Sequence, residues 1–221
     1  MSRLKVSLYS SARNLQYQTS IAARVFVVLT LVALISLPAK GQNGVLPLGS
    51  SIPQLSTEVS LADGSTTRLG DHVGSEATVI VFWSNKCPWC TKIESRLATL
   101  VSSIKDSGVT VILINSNDPD TFPAEAGSAN VDVAARLGVT YIADTSASLK
   151  SAFGAARAPH FFVFDQNQSL AYLGSLDDSP GDADNVQSTY VSDAIAAIRS
   201  GNTVAVTETK AFGCMIKPKR K

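Results

Sequence analysis

The sequence predicts an α/β fold in which a central mixed sheet is flanked by helices. Residues 77–83 and 109–114 are short runs of apolar, β-branched and aromatic side chains, which are typical of strands buried on both faces. Between them, apolar side chains recur at helical spacing from Trp89 to Ile104. Strands that alternate with helices and end in a hairpin indicate a mixed sheet with helices packed on it.

The first folded element is an N-terminal β-hairpin that extends the domain. Residues 58–61 and 66–69 are the predicted strands, and Asp63-Gly64 between them is a common turn signal. The first buried strand follows, then the long helix, which ends before Gly108, and then the second buried strand.

Two short helices and a closing hairpin are predicted after the second buried strand. A polar loop at 116–130 leads to a helix at 131–137, and a further helix at 148–153 also ends at a glycine. The closing hairpin joins 161–164 to 170–173.

The last predicted helix spans residues 186–199 and places its apolar side chains on one face. We therefore expect residues 57–203 to form one domain, followed by a C-terminal tail at 204–221.

The first 41 residues have the composition of an export signal. They carry five basic and no acidic residues, and the uncharged run 25–37 is followed by small residues that suit a cut after Gly41. The run is shorter than the roughly 20 residues that a transmembrane helix needs. We expect residues 1–41 to be a signal peptide, residues 42–56 to be a linker, and the protein to be extracytoplasmic, either periplasmic or secreted. The alternative is that residues 1–41 stay uncleaved and anchor the protein to the membrane.

Basic residues concentrate at the two ends of the chain. The last five residues hold four of them, so the body between the ends is acidic although the formal net charge is +1. An acidic body argues against nucleic-acid binding. The basic tail is either a solvated end or a contact for an anionic membrane or partner.

Cys87-Pro88-Trp89-Cys90 lies where a buried strand ends and the long helix begins. With Pro88 at the first helical position, Cys87 is the N-cap, and the free amides of the first turn point at its sulfur. The helix dipole favours the thiolate, as does Lys86 if its side chain turns that way. Cys90 lies one turn further on, close enough to form a disulfide with Cys87. Cys87 is therefore the predicted nucleophile, and Cys90 the thiol that resolves its mixed disulfides.

Two other interpretations of the cysteine pair are weaker. A zinc site would need a second pair of ligands, and only Cys214, His72 and His160 are left to supply it. No metal or other cofactor is therefore expected. An inert structural disulfide is less typical of a C-x-x-C motif at the start of a helix.

Pro159 directly precedes an apolar strand, about seventy residues after the cysteines. It is either an ordinary proline at the start of a strand or a cis proline that brings backbone up to the disulfide.

With these residues in place, the chain resembles the thioredoxin superfamily. Residues 81–90 resemble its junction between strand and motif, and Ala158-Pro159 resembles its cis-proline loop. Within the superfamily the chain is most similar to peroxiredoxin-like redoxin proteins related to the alkyl hydroperoxide reductase/thiol-specific antioxidant group, over 114–118, 154–159 and 209–217.

This resemblance covers residues 45–217 and implies a thioredoxin-like fold. It also implies that Cys87 is the nucleophile, that Cys90 is the resolving cysteine, and that Pro159 contacts the substrate backbone.

The chain departs from these relatives at three positions. Val81 stands where thioredoxins carry a buried Asp that serves proton transfer to the second cysteine, which leaves Glu94 or water as candidates for that task. Ala158 replaces a Thr that is common before the cis proline. Ser84 stands where a peroxidatic site has Thr, which weakens the peroxidase interpretation.

Cys214 is a third cysteine, close to the C-terminal end. It is either a buried small residue, a second resolving thiol that reaches the site, or a partner for another chain.

The leading hypothesis is an exported thiol–disulfide oxidoreductase that acts through Cys87 and Cys90. Its partners would be client proteins that carry thiols or disulfides, together with an unidentified redox partner. One alternative is a thiol peroxidase, a peroxiredoxin-like antioxidant in which Cys87 attacks peroxide and Cys90 or Cys214 resolves the sulfenic acid. The other is a thioredoxin-fold module that binds extended peptides without catalysis.

Overall fold

The computed structural model describes residues 44–220 of the chain. The predicted signal peptide or anchor at 1–41 lies outside the described residues. Within residues 44–220, no helix combines the length and the apolar character that crossing a bilayer requires.

The described residues form thirteen helices and strands. In chain order they are β1 (Glu58–Ser60), β2 (Thr66–Arg68), β3 (Ala77–Phe82), α1 (Pro88–Ser103), β4 (Val109–Asn115), α2 (Ser128–Leu137), β5 (Thr140–Ala143), α3 (Ser148–Phe153), β6 (Arg157–Ala158), β7 (His160–Phe164), β8 (Leu170–Gly174), α4 (Tyr190–Arg199) and β9 (Cys214–Met215). Short 3-10 turns lie at Leu69–His72, Pro123–Glu125 and Ala183–Asn185.

The central sheet has five strands in the order β5-β4-β3-β7-β8. The β3, β4 and β5 strands are parallel, whereas β7 and β8 run antiparallel to their neighbours. This mixed sheet confirms the α/β fold that the alternation of strands and helices predicts. The β1–β2 hairpin forms a separate two-stranded sheet, and β6 and β9 form another.

The core consists of the apolar runs that predicted the two central strands. All six residues of β3 are buried, and Phe82 packs edge-to-face on Phe153 and Phe162, with ring centroids 5.4 and 5.8 Å apart. Full burial of one such side chain contributes about 1.5–3 kcal/mol. The α4 helix packs against β3, β7 and β8 through residues spaced three or four apart, namely Val191, Ala194, Ile195 and Ile198.

The strand register brings three loops to one edge of the sheet. Phe82 at the end of β3 pairs with Ile114 near the end of β4 and with His160 at the start of β7. The segment that leads to Cys87, the loop after β4 and the bond before Pro159 therefore meet at this edge.

Several elements differ from the sequence-based expectations. The β5 strand was not predicted, because its four residues are too short a run to stand out in the sequence, although Gly138 marks the end of the helix before it. The α2 helix begins at Ser128 rather than at 131, and α4 begins at Tyr190 rather than at 186.

The segments that were expected to be a linker and a tail are both packed. Leu46 N–H donates to the Phe153 carbonyl at 3.0 Å, and Ile52 is buried, so residues 44–56 lie on the domain. At the other end, β9 in the tail pairs with β6.

Candidate functional site

Cys87 caps the N-terminus of α1. Its backbone is extended, with φ −76° and ψ 118°, and Pro88 occupies the first turn, as the sequence predicts. The first helical hydrogen bond runs from the Thr91 N–H to the Cys87 carbonyl, 3.2 Å. The amides of the first turn therefore have no partner within the helix, and with the helix dipole they favour negative charge on the Cys87 sulfur when it is reduced.

Cys87 is joined by a disulfide to Cys214, 127 residues further along the chain, with the two Cα atoms 5.9 Å apart. The sequence-based hypothesis paired Cys87 with Cys90. In this structure Cys90 is a free thiol instead, on the first turn of α1. Cys214 thus reaches the site, as the hypothesis of a second resolving thiol requires.

Cys214 reaches Cys87 on an extended strand that runs beside Pro159. The antiparallel pairing of β6 and β9 sets Ala158 opposite Cys214 and Arg157 opposite Met215. The Ala158–Pro159 peptide bond is cis. The Cys87 sulfur lies 3.2 Å from the Ala158 carbonyl oxygen, which would accept a hydrogen bond from the thiol once the disulfide is reduced.

The residues just after β9 are held by hydrogen bonds to the loop after β4. The Lys217 N–H donates to Asn117 Oδ1 at 2.9 Å, and the Asp118 N–H donates to the Lys217 carbonyl at 2.8 Å. The stretches 114–118, 154–159 and 209–217, which carry the family resemblance, therefore meet around Cys87.

A buried glutamate that the sequence analysis missed holds the segment before Cys87. The Glu125 carboxylate accepts hydrogen bonds from the Ser84 hydroxyl at 2.6 Å and from the backbone N–H of Asn85 at 2.8 Å. It also accepts from Asn115 Nδ2 at 2.9 Å and from the Lys86 amide at 3.3 Å. A carboxylate with four donors fixes the path of the chain into α1.

Cys90 stays protonated near neutral pH. Burial raises the pKa of its thiol well above the usual range. A hydrogen bond with the Ser84 backbone lowers the pKa by a smaller amount, and the carboxylates of Glu125 and Glu94 raise it by less still. Glu94 and water were the candidates for a base that takes the proton of Cys90. In the structure, Glu94 forms an ion pair with Arg136 at 2.5 Å. Glu125 is a second carboxylate that raises the pKa of the Cys90 thiol. It comes from the loop between β4 and α2 rather than from β3.

The surface around the disulfide combines apolar side chains with two lysines. The ring of Trp89 contacts Phe212 edge-on, with centroids 4.5 Å apart, and Lys92 Nζ lies 4.9 Å from the Trp89 ring. Phe212 is 43% and Met215 66% exposed, and Pro88 and Lys86 are also exposed. Cys87 itself is only 2% exposed while it is bonded to Cys214.

The two histidines lie in different environments. His160 follows Pro159, and burial lowers the pKa of its imidazole to about 4, so the ring is neutral and packs on Phe162 at 4.3 Å. His72 contacts Thr67 and Thr140. Among residues 44–220, no three His, Cys, Asp or Glu side chains come together as metal ligands would.

The fold and this site define a class of protein. The central sheet is mixed, a Cys-x-x-Cys motif begins the first long helix, and a cis proline before a neighbouring strand faces that motif. This combination defines a thioredoxin-like fold with a thiol-based redox site.

The chain belongs to the Redoxin family, whose sequence profile matches residues 47–190. It is similar to a hypothetical protein of Sinorhizobium meliloti 1021, with 32% identity over 79% of this chain and 96% of that chain, and a TM-score of 0.72. It is also similar to an uncharacterized conserved protein of Geobacillus kaustophilus, with 30% identity over 85% and 100% of the two chains, and a TM-score of 0.73.

A more distant structure, Mycobacterium tuberculosis AhpC, shares the fold. It is 16% identical over 73% of this chain and 97% of that chain, with a TM-score of 0.53. A search of the curated proteins finds no match.

Proposed function

We propose that this redoxin is an exported thiol–disulfide oxidoreductase that exchanges disulfides with client proteins through Cys87 and Cys90. The observation that carries the proposal is the disulfide between Cys87 and a cysteine on an extended strand, beside a free Cys90. This arrangement has the form of a mixed disulfide between a redox enzyme and a bound peptide.

The reaction proceeds in two exchanges. The Cys87 thiolate attacks one sulfur of a client disulfide, and the other client sulfur leaves as a thiolate. Cys90 then loses its proton and attacks the Cys87 sulfur, which releases the second client thiolate and leaves a Cys87–Cys90 disulfide. The client gains two electrons, and the unidentified redox partner returns the enzyme to the dithiol; the reverse sequence oxidises a client.

Residues 1–41 support the part of the proposal that concerns export. The basic stretch, the short uncharged run and the small residues that end at Gly41 are the pattern of a signal peptide. Expression with this segment should yield an extracytoplasmic protein whose N-terminal sequence begins at Gln42. Retention in the cytoplasm, with the initiator Met intact, would contradict export.

Trapping tests the chemistry most directly. A Cys90→Ser/Cys214→Ser variant leaves Cys87 with no partner in the chain, so it should form stable mixed disulfides with client proteins or with a disulfide-bonded model peptide. The matched control is the triple variant that also carries Cys87→Ser. The proposal is wrong if the double variant forms no more adducts than the triple variant and its Cys87 has an ordinary pKa.

A thiol peroxidase is the second candidate, because a Cys87–Cys214 disulfide is also the product expected when Cys214 resolves a sulfenic acid. The same double variant distinguishes the two functions. Rapid consumption of one equivalent of peroxide per Cys87, followed by dimedone labelling of the unresolved sulfenic acid, supports the peroxidase. Adducts with clients and a slow reaction with peroxide support the oxidoreductase.

A further inference from the structure

We propose that residues 212–217, here named the C-terminal cap, are an internal substitute for a client peptide, and that Cys90 removes the cap from Cys87. This proposal rests on the proposed function, because it assigns the regulation of the same site. The cap would cover oxidised Cys87 until Cys90 forms a disulfide with Cys87 and displaces Cys214.

The cap occupies the backbone groups that a client strand would use. Besides the β6–β9 pairing, the Ile216 N–H donates to the Ala156 carbonyl at 3.0 Å, and Arg157 Nη1 donates to the Gly213 carbonyl at 2.8 Å. Strand addition to an exposed sheet edge is a common way to bind an extended peptide. A client cysteine that approaches Cys87 along β6 therefore competes with the cap.

The side chains of the cap match this position. A Cβ at Gly213 would overlap the carbonyl oxygen of Ala158, so only glycine allows the cap to approach β6 this closely. On one side of Cys214, Phe212 packs on Trp89; on the other side, Ile216 is buried. The cap thus has a small residue before its cysteine and apolar anchors on both sides.

The cap can leave while the tail stays attached. The preceding segment is bound to β8 through the Leu173 N–H to the Thr207 carbonyl and the Thr209 N–H to the Leu173 carbonyl, both 3.0 Å. Because this anchor is only a few residues before Phe212, the detached cap stays near β6 at an effective concentration on the order of millimolar. The cap would therefore outcompete a dilute client.

Release of the cap is a disulfide isomerisation. The Cys90 thiolate attacks the Cys87 sulfur, the Cys87–Cys214 bond breaks, and Cys214 leaves as a thiolate that takes up the proton lost by Cys90. No electrons enter or leave, so the two oxidised forms interconvert without a reductant. Since Cys90 is a buried, protonated thiol, this step is slow and the capped form persists.

Gly213→Val in the full chain tests the cap, because it prevents seating on β6 but keeps all three cysteines. The matched control is Val206→Ala, a change at an exposed position of the same tail. The probe is a fluorescent, reduced peptide with the sequence of residues 209–217, mixed with each oxidised protein at micromolar concentration. The Gly213→Val protein should form adducts at least about ten times faster than the wild type, and the Val206→Ala protein at the wild-type rate.

Peptide mapping and a third variant separate the possible failures. Mapping of oxidised Cys90→Ser protein should find Cys87–Cys214, and Phe212→Ala should accelerate adduct formation as Gly213→Val does. The cap is refuted if Gly213→Val and Phe212→Ala react at the wild-type rate while Cys214→Ser still exchanges with the peptide. If no protein forms adducts, Cys214→Ser included, the proposed function itself fails.

Discussion

Replacing Glu125 by glutamine should destabilise the site more than the small size of the change suggests. Glu125→Gln keeps the shape of the side chain but removes the charge that strengthens its hydrogen bonds, and it replaces one acceptor oxygen by an amide nitrogen that can only donate. A hydrogen bond to a charged group contributes about 1.5–3 kcal/mol, compared with about 1 kcal/mol for a neutral pair. Three of the four bonds are 2.9 Å or shorter. At roughly 0.5–1 kcal/mol lost from each, and more where a donor then faces the amide nitrogen, the free energy of unfolding should fall by at least about 2 kcal/mol.

Urea unfolding of the reduced protein measures this loss. The matched control is Glu94→Gln, the same change at the other carboxylate that raises the pKa of Cys90, but in a partly exposed ion pair worth less than about 1 kcal/mol. In a variant that retains Cys90 as its only cysteine, Glu125→Gln should also lower the thiol pKa, read from the ultraviolet absorbance of the thiolate. Equal stability of the Glu125→Gln and Glu94→Gln proteins would refute the reasoning.

Buried groups elsewhere in the domain give three further predictions. His160 has a pKa of about 4 when folded and about 6.5 when unfolded, so the unfolded chain binds the extra proton as the pH falls through this range. The free energy of unfolding should therefore drop by up to about 3 kcal/mol. Urea unfolding of a His160→Asn protein should lack this part of the pH dependence. Arg96→Met leaves the buried Asp177 carboxylate without its partner at 2.9 Å and should cost about 3–5 kcal/mol in urea unfolding, most of it recovered by adding Asp177→Asn. Gly74→Ala places a Cβ inside the backbone of two neighbouring segments and should lower the melting temperature, whereas Gly181→Ala, with its nearest contact at 3.4 Å, should not.

The position of Cys87, the proposed nucleophile, could be predicted because it depends on local chemistry. A buried apolar run, a cysteine, a proline and then helical spacing define an N-cap within a few residues, and the structure places Cys87 and Pro88 at those positions. The central strands could be predicted for the same reason, since their apolar runs are continuous and end at turn residues.

The groups that surround Cys87 could not be predicted because they come from distant parts of the chain. Cys214 lies in a short polar tail, and only the closed sheet shows that this tail runs along β6. Glu125 lies in a loop with no helical or strand period, and its role depends on the four donors that gather around it. A single glutamate between two elements carries no local signal for such a role.

The separation of Cys87 and Cys214 along the chain also sets the order in which the thiols are made. The ribosome adds about 5–20 residues per second, so the 127 residues between them take roughly 6 to 25 seconds to make. During that time Cys87 and Cys90 are already present, and no Cys214 exists to compete. Until Cys214 has been added, the newly made chain thus carries only its own neighbouring thiol pair.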